Sequence, residues 1–313
     1  MRKIIAIILS LLMLVTLCSA CSNGEKKPAE KIQQSTDDTY DPVNDDKVLK
    51  VLAIGNSFSV DTMHYLYDVA KAEGIQEVIL GNLYISGCTL KTHAENVKGN
   101  LNAYKYYTNY GRGWSSIENC SLEYALKSED WDIITMQQGS RYSGQPDSYE
   151  EYLTQLISYV NANKTNPKAK LAWNMTWAYQ EGFSKDMFSP YNYDQMTMYN
   201  AIVNTVQEKI AVHKEFSYII PVGTVLQNVR TSFIGDNLNR DGYHLNDLAR
   251  VIGSYTWLAT FRGKPLEEIN LDKIGADVIL TEADKLVIME AVNAAMETPF
   301  AIKESSYPEK PAA

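Results

Sequence analysis

The sequence predicts an α/β domain built on a parallel sheet of about five strands, with helices on both faces. Two observations carry this. Short runs that are apolar throughout, rather than alternating, mark strands buried on both sides. Segments with apolar residues at helical spacing separate them, as crossovers between parallel strands require. In chain order, Val48 to Ile54 reads as the first strand, ending at Gly55-Asn56-Ser57. A helix beginning near Asp61 follows to Glu73, with Leu66, Val69 and Ala70 on one face and Gly74 as its stop. Val78–Leu80 and Leu83–Ile85 form a second strand region, interrupted at Gly81-Asn82. Trp131–Met136, Lys170–Met175 and Phe216–Ile220 are the third, fourth and fifth strands. Helices are expected over Tyr149–Asn161, Tyr193–Val212, Leu245–Thr260 and Glu282–Met296. The stretch before Trp131 reads as a long connection carrying Tyr104, Tyr106, Tyr107, Tyr110 and Trp114.

The two ends read differently from this domain. Arg2 and Lys3 precede an apolar run from Ile4 to Leu17, then Cys18-Ser19-Ala20-Cys21, the pattern of a secretory signal. A run of about 14 apolar residues is short of the roughly 20 that span a bilayer. With a cysteine after Ser19-Ala20, residues 1–20 resemble a bacterial lipoprotein signal, which implies Cys21 as the lipidated first residue. The chain is then expected to be exported and held at the cell envelope by its lipid alone. Residues 21–47 are polar and charged, with Pro28 and Pro42, and read as a flexible tether. Residues 48–300 form the domain, and 301–313 a polar tail of similar character to the tether. The formal net charge of −9 makes nucleic acid a poor partner. Of four cysteines, Cys88 and Cys120 remain in the domain, as a disulfide or as two free thiols. Four dispersed histidines, His64, His93, His213 and His244, with no CxxC pair, suggest no metal site.

In an open parallel sheet the binding crevice lies at the carboxyl ends of the strands. That brings Gly55-Asn56-Ser57, Ser86-Gly87, Gln137-Gln138 and Trp177 to one rim. A serine at a strand end before a helix is where an α/β enzyme displays a nucleophile. Its hydroxyl needs a base, and Asp241-Gly242-Tyr243-His244 supplies one. His244 accepts the proton, and Asp241, three residues earlier, orients the ring and steadies the imidazolium. Alone, Asp241 reads equally well as a helix cap; together with Ser57 the catalytic reading prevails.

These blocks resemble the SGNH, or GDSL-type, hydrolase superfamily across about residues 48–300. Gly55-Asn56-Ser57 matches its first block, Gly87 its second, and Asp241 to His244 its last. The resemblance implies a flavodoxin-like three-layer sandwich, a Ser57-His244-Asp241 triad and no cofactor. It also implies an oxyanion site formed by the N–H groups of Ser57 and Gly87 and the side chain of a third residue. The family's Gly-x-Asn at that third place is replaced by Gln137-Gln138-Gly139; strand alternation aims one glutamine at the crevice, and Gln138 is preferred. Asn56, Gln137, His93, Trp177 and Tyr179 are further candidates for substrate contact. Asn56 reads more simply as a turn residue, and His93 as a structural histidine. The expected activity is hydrolysis of short, acetyl-like esters, with a glycan or a small ester as partner. A lipase or thioesterase, or a non-catalytic glycan-binding lipoprotein, are the alternatives.

Overall fold

The computed structural model describes residues 47–275 and 278–311. The signal, Cys21 and the tether before Lys47 lie outside the described residues. Seven strands form the central sheet: β1 (Val48–Gly55), β2 (Glu77–Tyr84), β3 (Tyr104–Asn109), β4 (Ser115–Cys120), β5 (Ile133–Met136), β6 (Lys170–Asn174) and β7 (Phe216–Ile220). Their order is β4-β3-β2-β1-β5-β6-β7. The five strands from β2 to β7 in that order run parallel, as the sequence predicts. β3 and β4 form an antiparallel extension beside β2.

The helices are α1 (Ser57–Met63), α2 (Leu66–Ala72), α3 (Leu90–Lys98), α4 (Leu122–Lys127), α5 (Glu150–Asn163), α6 (Gln195–Lys209), α7 (Val222–Arg230), α8 (Asp247–Arg262) and α9 (Glu282–Glu297). α1 and α2 pack with α8, and α3 and α4 with α5. These two helix groups flank the sheet, as in a three-layer α/β/α fold. Strand order reverses beside β1, so the crevice opens where β1 and β5 diverge.

Several elements depart from the sequence-based expectation. The first helix begins at Ser57, not Asp61, and breaks into two at His64-Tyr65. β2 runs uninterrupted through Gly81-Asn82. A Cβ at Gly81 would lie 2.8 Å from the Trp131 ring, so this glycine serves close packing inside a strand, not a turn. β3 and β4 replace the expected long connection. β3 is half-polar, with Tyr104 and Tyr106 buried and Lys105 and Tyr107 half-buried, and β4 is almost wholly exposed. Neither shows the apolar run that marks a central strand. α7 follows Pro221 directly, and its apolar stripe of Val222, Val225, Leu226 and Val229 spans only about two turns, too short to announce a helix.

The segment after Phe300, expected to be a flexible tail, is tied to the domain. Lys303 N–H donates to Asn228 Oδ1 and Ser305 N–H to Thr231 Oγ1, both at 2.8 Å. Ser306 N–H donates to Glu290 Oε1 at 2.8 Å. Phe233 N–H donates to Tyr307 O at 2.8 Å, and the Tyr307 ring packs on the core. Local polarity misled the sequence reading, because these groups are satisfied by α7 and α9 rather than by water.

Candidate active site

Asn56 closes β1 and caps α1. Its backbone is extended, and its Oδ1 accepts the Phe58 N–H at 2.9 Å. Ser57 is therefore the first residue of α1, and its own N–H has no acceptor within the helix. Asn56 Nδ2 donates to Cys88 O at 2.9 Å, which ties the β2–α3 loop to the Ser57 turn. Within that loop Cys88 N–H bonds Ile85 O at 3.1 Å, and exposed Gly87 takes the left-handed place in the turn with φ +62°.

A buried chain of amides holds this corner. Trp257 Nε1 donates to Asn174 Oδ1 at 3.2 Å, and Asn174 Nδ2 to Gln137 Oε1 at 2.9 Å. Gln137 Nε2 donates to Asn56 Oδ1 at 2.8 Å. α8, β6, β5 and the Ser57 turn are thereby linked in one donor-to-acceptor sense, and each carboxamide uses both of its ends.

The histidine arrives on the segment before α8. Gln180 N–H donates to Gly242 O, and Trp177 Nε1 to Tyr243 O, both at 2.8 Å. Gly242 has φ +91°, and a Cβ there would lie 2.3 Å from the Phe183 ring, so both conformation and space require glycine. Asp241 Oδ1 accepts the N–H groups of Tyr243 at 3.2 Å and His244 at 2.8 Å. Asn246, not Asp241, caps α8.

Ser57 Oγ lies 2.9 Å from His244 Nε2, and His244 Nδ1 lies 2.7 Å from Asp241 Oδ2. The three side chains the sequence singled out thus form one hydrogen-bonded line across 187 residues. The His244 side chain is 15% exposed and that of Asp241 42%, so a ligand can reach the line. Burial raises the Asp241 carboxyl, but hydrogen bonds from the His244 ring and from two backbone N–H groups outweigh it. Its pKa ends below the ordinary carboxylate value. The Tyr243 ring lies against the His244 ring, tilted by 37° with centroids 3.9 Å apart.

A second polar centre binds the serine's helix to the histidine's loop. Asp61 is fully buried and sits one helical turn after Ser57, on the same face of α1. Its Oδ2 accepts the Leu245 N–H at 2.9 Å. Its Oδ1 takes Arg240 Nη1 at 2.9 Å and Arg250 Nε at 3.0 Å. Sequence reasoning passed over Asp61, Arg240 and Arg250. The signal available was an acid at i+4 from the serine and an arginine beside Asp241, and neither announces burial by itself.

Other candidates are corrected. Gln138 is 1% exposed. Its Oε1 accepts the Leu90 and Gly139 N–H groups, and its Nε2 donates to Ser148 O and Ser148 Oγ. Both amide protons are used in the loop, so Gln138 has no donor left for an oxyanion. Gln137 and Asn56, 2% exposed each, belong to the amide chain and not to a substrate surface. Trp177 and Tyr179 are fully buried. Trp177 stacks on Phe58 at 4.0 Å, and the Tyr179 hydroxyl meets Ser140 Oγ at 2.8 Å; both support the site from behind. His93 is fully buried in α3 against Tyr104, 3.0 Å from its hydroxyl, and burial pushes its pKa down to about 4. Cys88 and Cys120 are free, buried thiols, and burial drives Cys88 up to about 12, where it is inert as a nucleophile.

Residues 50–290 match the model of DUF4886, a domain of unknown function. The chain belongs to the DUF4886 family. A crystallised DUF4886 family protein from Bacteroides uniformis is 36% identical and superposes with a TM-score of 0.76, covering 82% of this chain and 98% of that one. More distant likenesses include a candidate SGNH hydrolase from Slackia heliotrinireducens, at 19% identity and a TM-score of 0.45 over 68% of this chain and 98% of the other. The acetylxylan esterase Axe2 from Geobacillus stearothermophilus follows at 12% identity and a TM-score of 0.43, over 68% and 94%. No curated protein matches the sequence. The DUF4886 match spans Ser57, Asp241 and His244 together with Asp61 and the amide chain, so the whole site lies inside the family domain.

Proposed function

We propose that this protein is a serine esterase cleaving short acyl esters of a carbohydrate. The observation that carries the reading is the unbroken line from Ser57 Oγ through His244 to Asp241, at 2.9 and 2.7 Å. Such spacing suits proton transfer from a hydroxyl to an imidazole.

Ser57 Oγ attacks the ester carbonyl carbon while its proton passes to His244 Nε2. Asp241, ionised well into acid, accepts the Nδ1–H bond and holds the ring as it becomes imidazolium. The carbonyl oxygen becomes an oxyanion, and the N–H groups of Ser57 and Gly87 are the donors we assign to it. Each well-aimed donor is worth about 3–4 kcal/mol of barrier. When the tetrahedral intermediate collapses, its C–O bond to the alcohol breaks, and His244 returns the proton to the leaving oxygen. Water, deprotonated by His244, then attacks the acyl-enzyme, releasing the carboxylic acid and restoring Ser57.

We take the acyl group to be short, and chain length is tested directly. The purified domain is expected to hydrolyse 4-nitrophenyl acetate faster than the octanoate. Ser57→Ala and His244→Ala should each lower kcat by about 10³-fold or more. A fluorophosphonate should label Ser57 in the native protein and not in His244→Ala. Native protein that neither turns over short esters nor takes the label would end this reading.

A further inference from the structure

Two half-buried tyrosines beside the site have no part in the chemistry above. Asn82 on β2 faces α1, since its Oδ1 meets Ser59 Oγ at 3.0 Å. Tyr84, two residues on, leaves β2 on that same face. It pairs in register with Gly55, two residues before Ser57, and therefore stands at the mouth of the crevice. The hairpin that extends the sheet brings more side chains to this face. Tyr107 pairs across from Asn82, and Lys105 across from Tyr84, and directly opposed residues share a face. The Tyr84 and Tyr107 rings meet edge to face with centroids 5.8 Å apart. Lys105 Nζ lies 5.2 Å from the Tyr107 centroid and 2.7 Å from Glu118 Oε1. Tyr84, Lys105 and Tyr107 are all half-buried. Tyr84 also lies within electrostatic reach of the Tyr243 hydroxyl, whose ring covers His244.

We propose that Tyr84, Tyr107 and the Lys105–Glu118 pair form a subsite for a pyranose ring on the alcohol side of the ester. This rests on the esterase reading and specifies its substrate. The apolar C–H face of a pyranose lies well on tyrosine rings, while its hydroxyl rim suits an ammonium and a carboxylate. An alkyl chain would instead strip water from the Lys105–Glu118 pair without replacing it. Strands are about 4.8 Å apart, so β3 lies about 10 Å from β1, the strand that leads into Ser57. That distance leaves room between Ser57 and the platform for an ester, so the sugar carrying it, or its neighbour, would sit on the tyrosines.

The test compares Tyr107→Ala and Lys105→Met with the native protein on two substrates. 4-Nitrophenyl acetate carries no sugar; O-acetylated xylo-oligosaccharides do. Tyr107→Ala should raise KM for the oligosaccharide about fivefold, as loss of one aromatic contact implies, and leave kcat/KM for 4-nitrophenyl acetate within about twofold. Lys105→Met should show the same split to a smaller degree. Equal losses on both substrates, or no change on the oligosaccharide, overturn the subsite and leave the esterase reading intact. Should Ser57→Ala keep full activity, the esterase reading falls instead. The subsite is then judged by titrating unacetylated xylo-oligosaccharide into the native protein and following the Tyr84 and Tyr107 amides by NMR. Shifts that vanish in Tyr107→Ala support it, and their absence overturns it.

Discussion

Ser57 is one hydroxyl among many, and what distinguishes it is the company of single residues. Asn56 caps its helix and grips the Gly87 loop, and Gly242 lets the backbone turn so that Asp241 and His244 meet. His93 shows the opposite case, a histidine with no route to the crevice. It is fully buried, and its Nε2 meets no hydrogen-bond partner among the described residues. Its pKa is pushed down to about 4, so between about pH 6.5 and 4 the unfolded chain binds a proton that the native state refuses. The resulting contribution to stability is complete above about pH 6.5 and is lost as pH falls toward 4. Urea titrations should show roughly 2 kcal/mol less stability at pH 5 than at pH 6.5 from this residue. His93→Gln should flatten that slope; an unchanged slope would show that His93 titrates normally in the fold.

At the scale of elements, the decisive feature is that α1 carries the serine at its first turn and Asp61 at its second. One short helix therefore sets both the proposed nucleophile and the anchor for the loop bearing His244. Asp61→Asn keeps a carbonyl for Leu245 N–H but leaves the Arg240 and Arg250 guanidiniums short of charge. Because both arginines are partly exposed, water softens the loss, and a cost of about 2–3 kcal/mol is expected. The His244 loop should loosen as well, lowering kcat about tenfold or more with KM little changed. Thermal melts and steady-state kinetics on the same preparation separate the two effects. A destabilised variant with native kcat would make Asp61 a structural residue only. The β3–β4 hairpin matters at this scale too, since it widens the sheet beyond α1 and brings Tyr107 and Lys105 to the crevice side.

For the whole molecule, the three-layer sandwich converts sequence separation into proximity. Ser57 and His244 come from opposite ends of the domain and meet because β1 is central and α8 packs against α1. The chain's last described segment closes the fold by binding α7 and α9. Removing residues after Ile302 takes away the acceptor of the Phe233 N–H and the tail donors to Asn228 Oδ1, Thr231 Oγ1 and Glu290. The truncated protein should melt about 5 °C lower or more. An unchanged Tm would mean that the docking contributes nothing.

Five strands were legible because each is apolar throughout, and burial on two faces leaves no other composition open to them. Ser57, Asp241 and His244 were legible because a strand-end serine and an Asp-x-x-His segment each carry a chemical purpose in local spacing. β3, β4 and α7 were not, since the β3–β4 hairpin is largely polar and shows no apolar run, and the apolar stripe of α7 is only about two turns long. Gln138, Trp177 and Tyr179 show the same limit at single residues. Sequence placed them at the rim, but whether a side chain at a rim faces solvent or its own scaffold depends on neighbours far along the chain. Ser148 claimed the amide of Gln138, Phe58 the ring of Trp177, and Ser140 the hydroxyl of Tyr179. What the sequence alone determined is the layered fold and the three side chains we propose to react, because both are read from local pattern. Only the tertiary structure decided which polar residues remain free to meet a substrate, because in a packed interior donors and acceptors are matched across the whole chain.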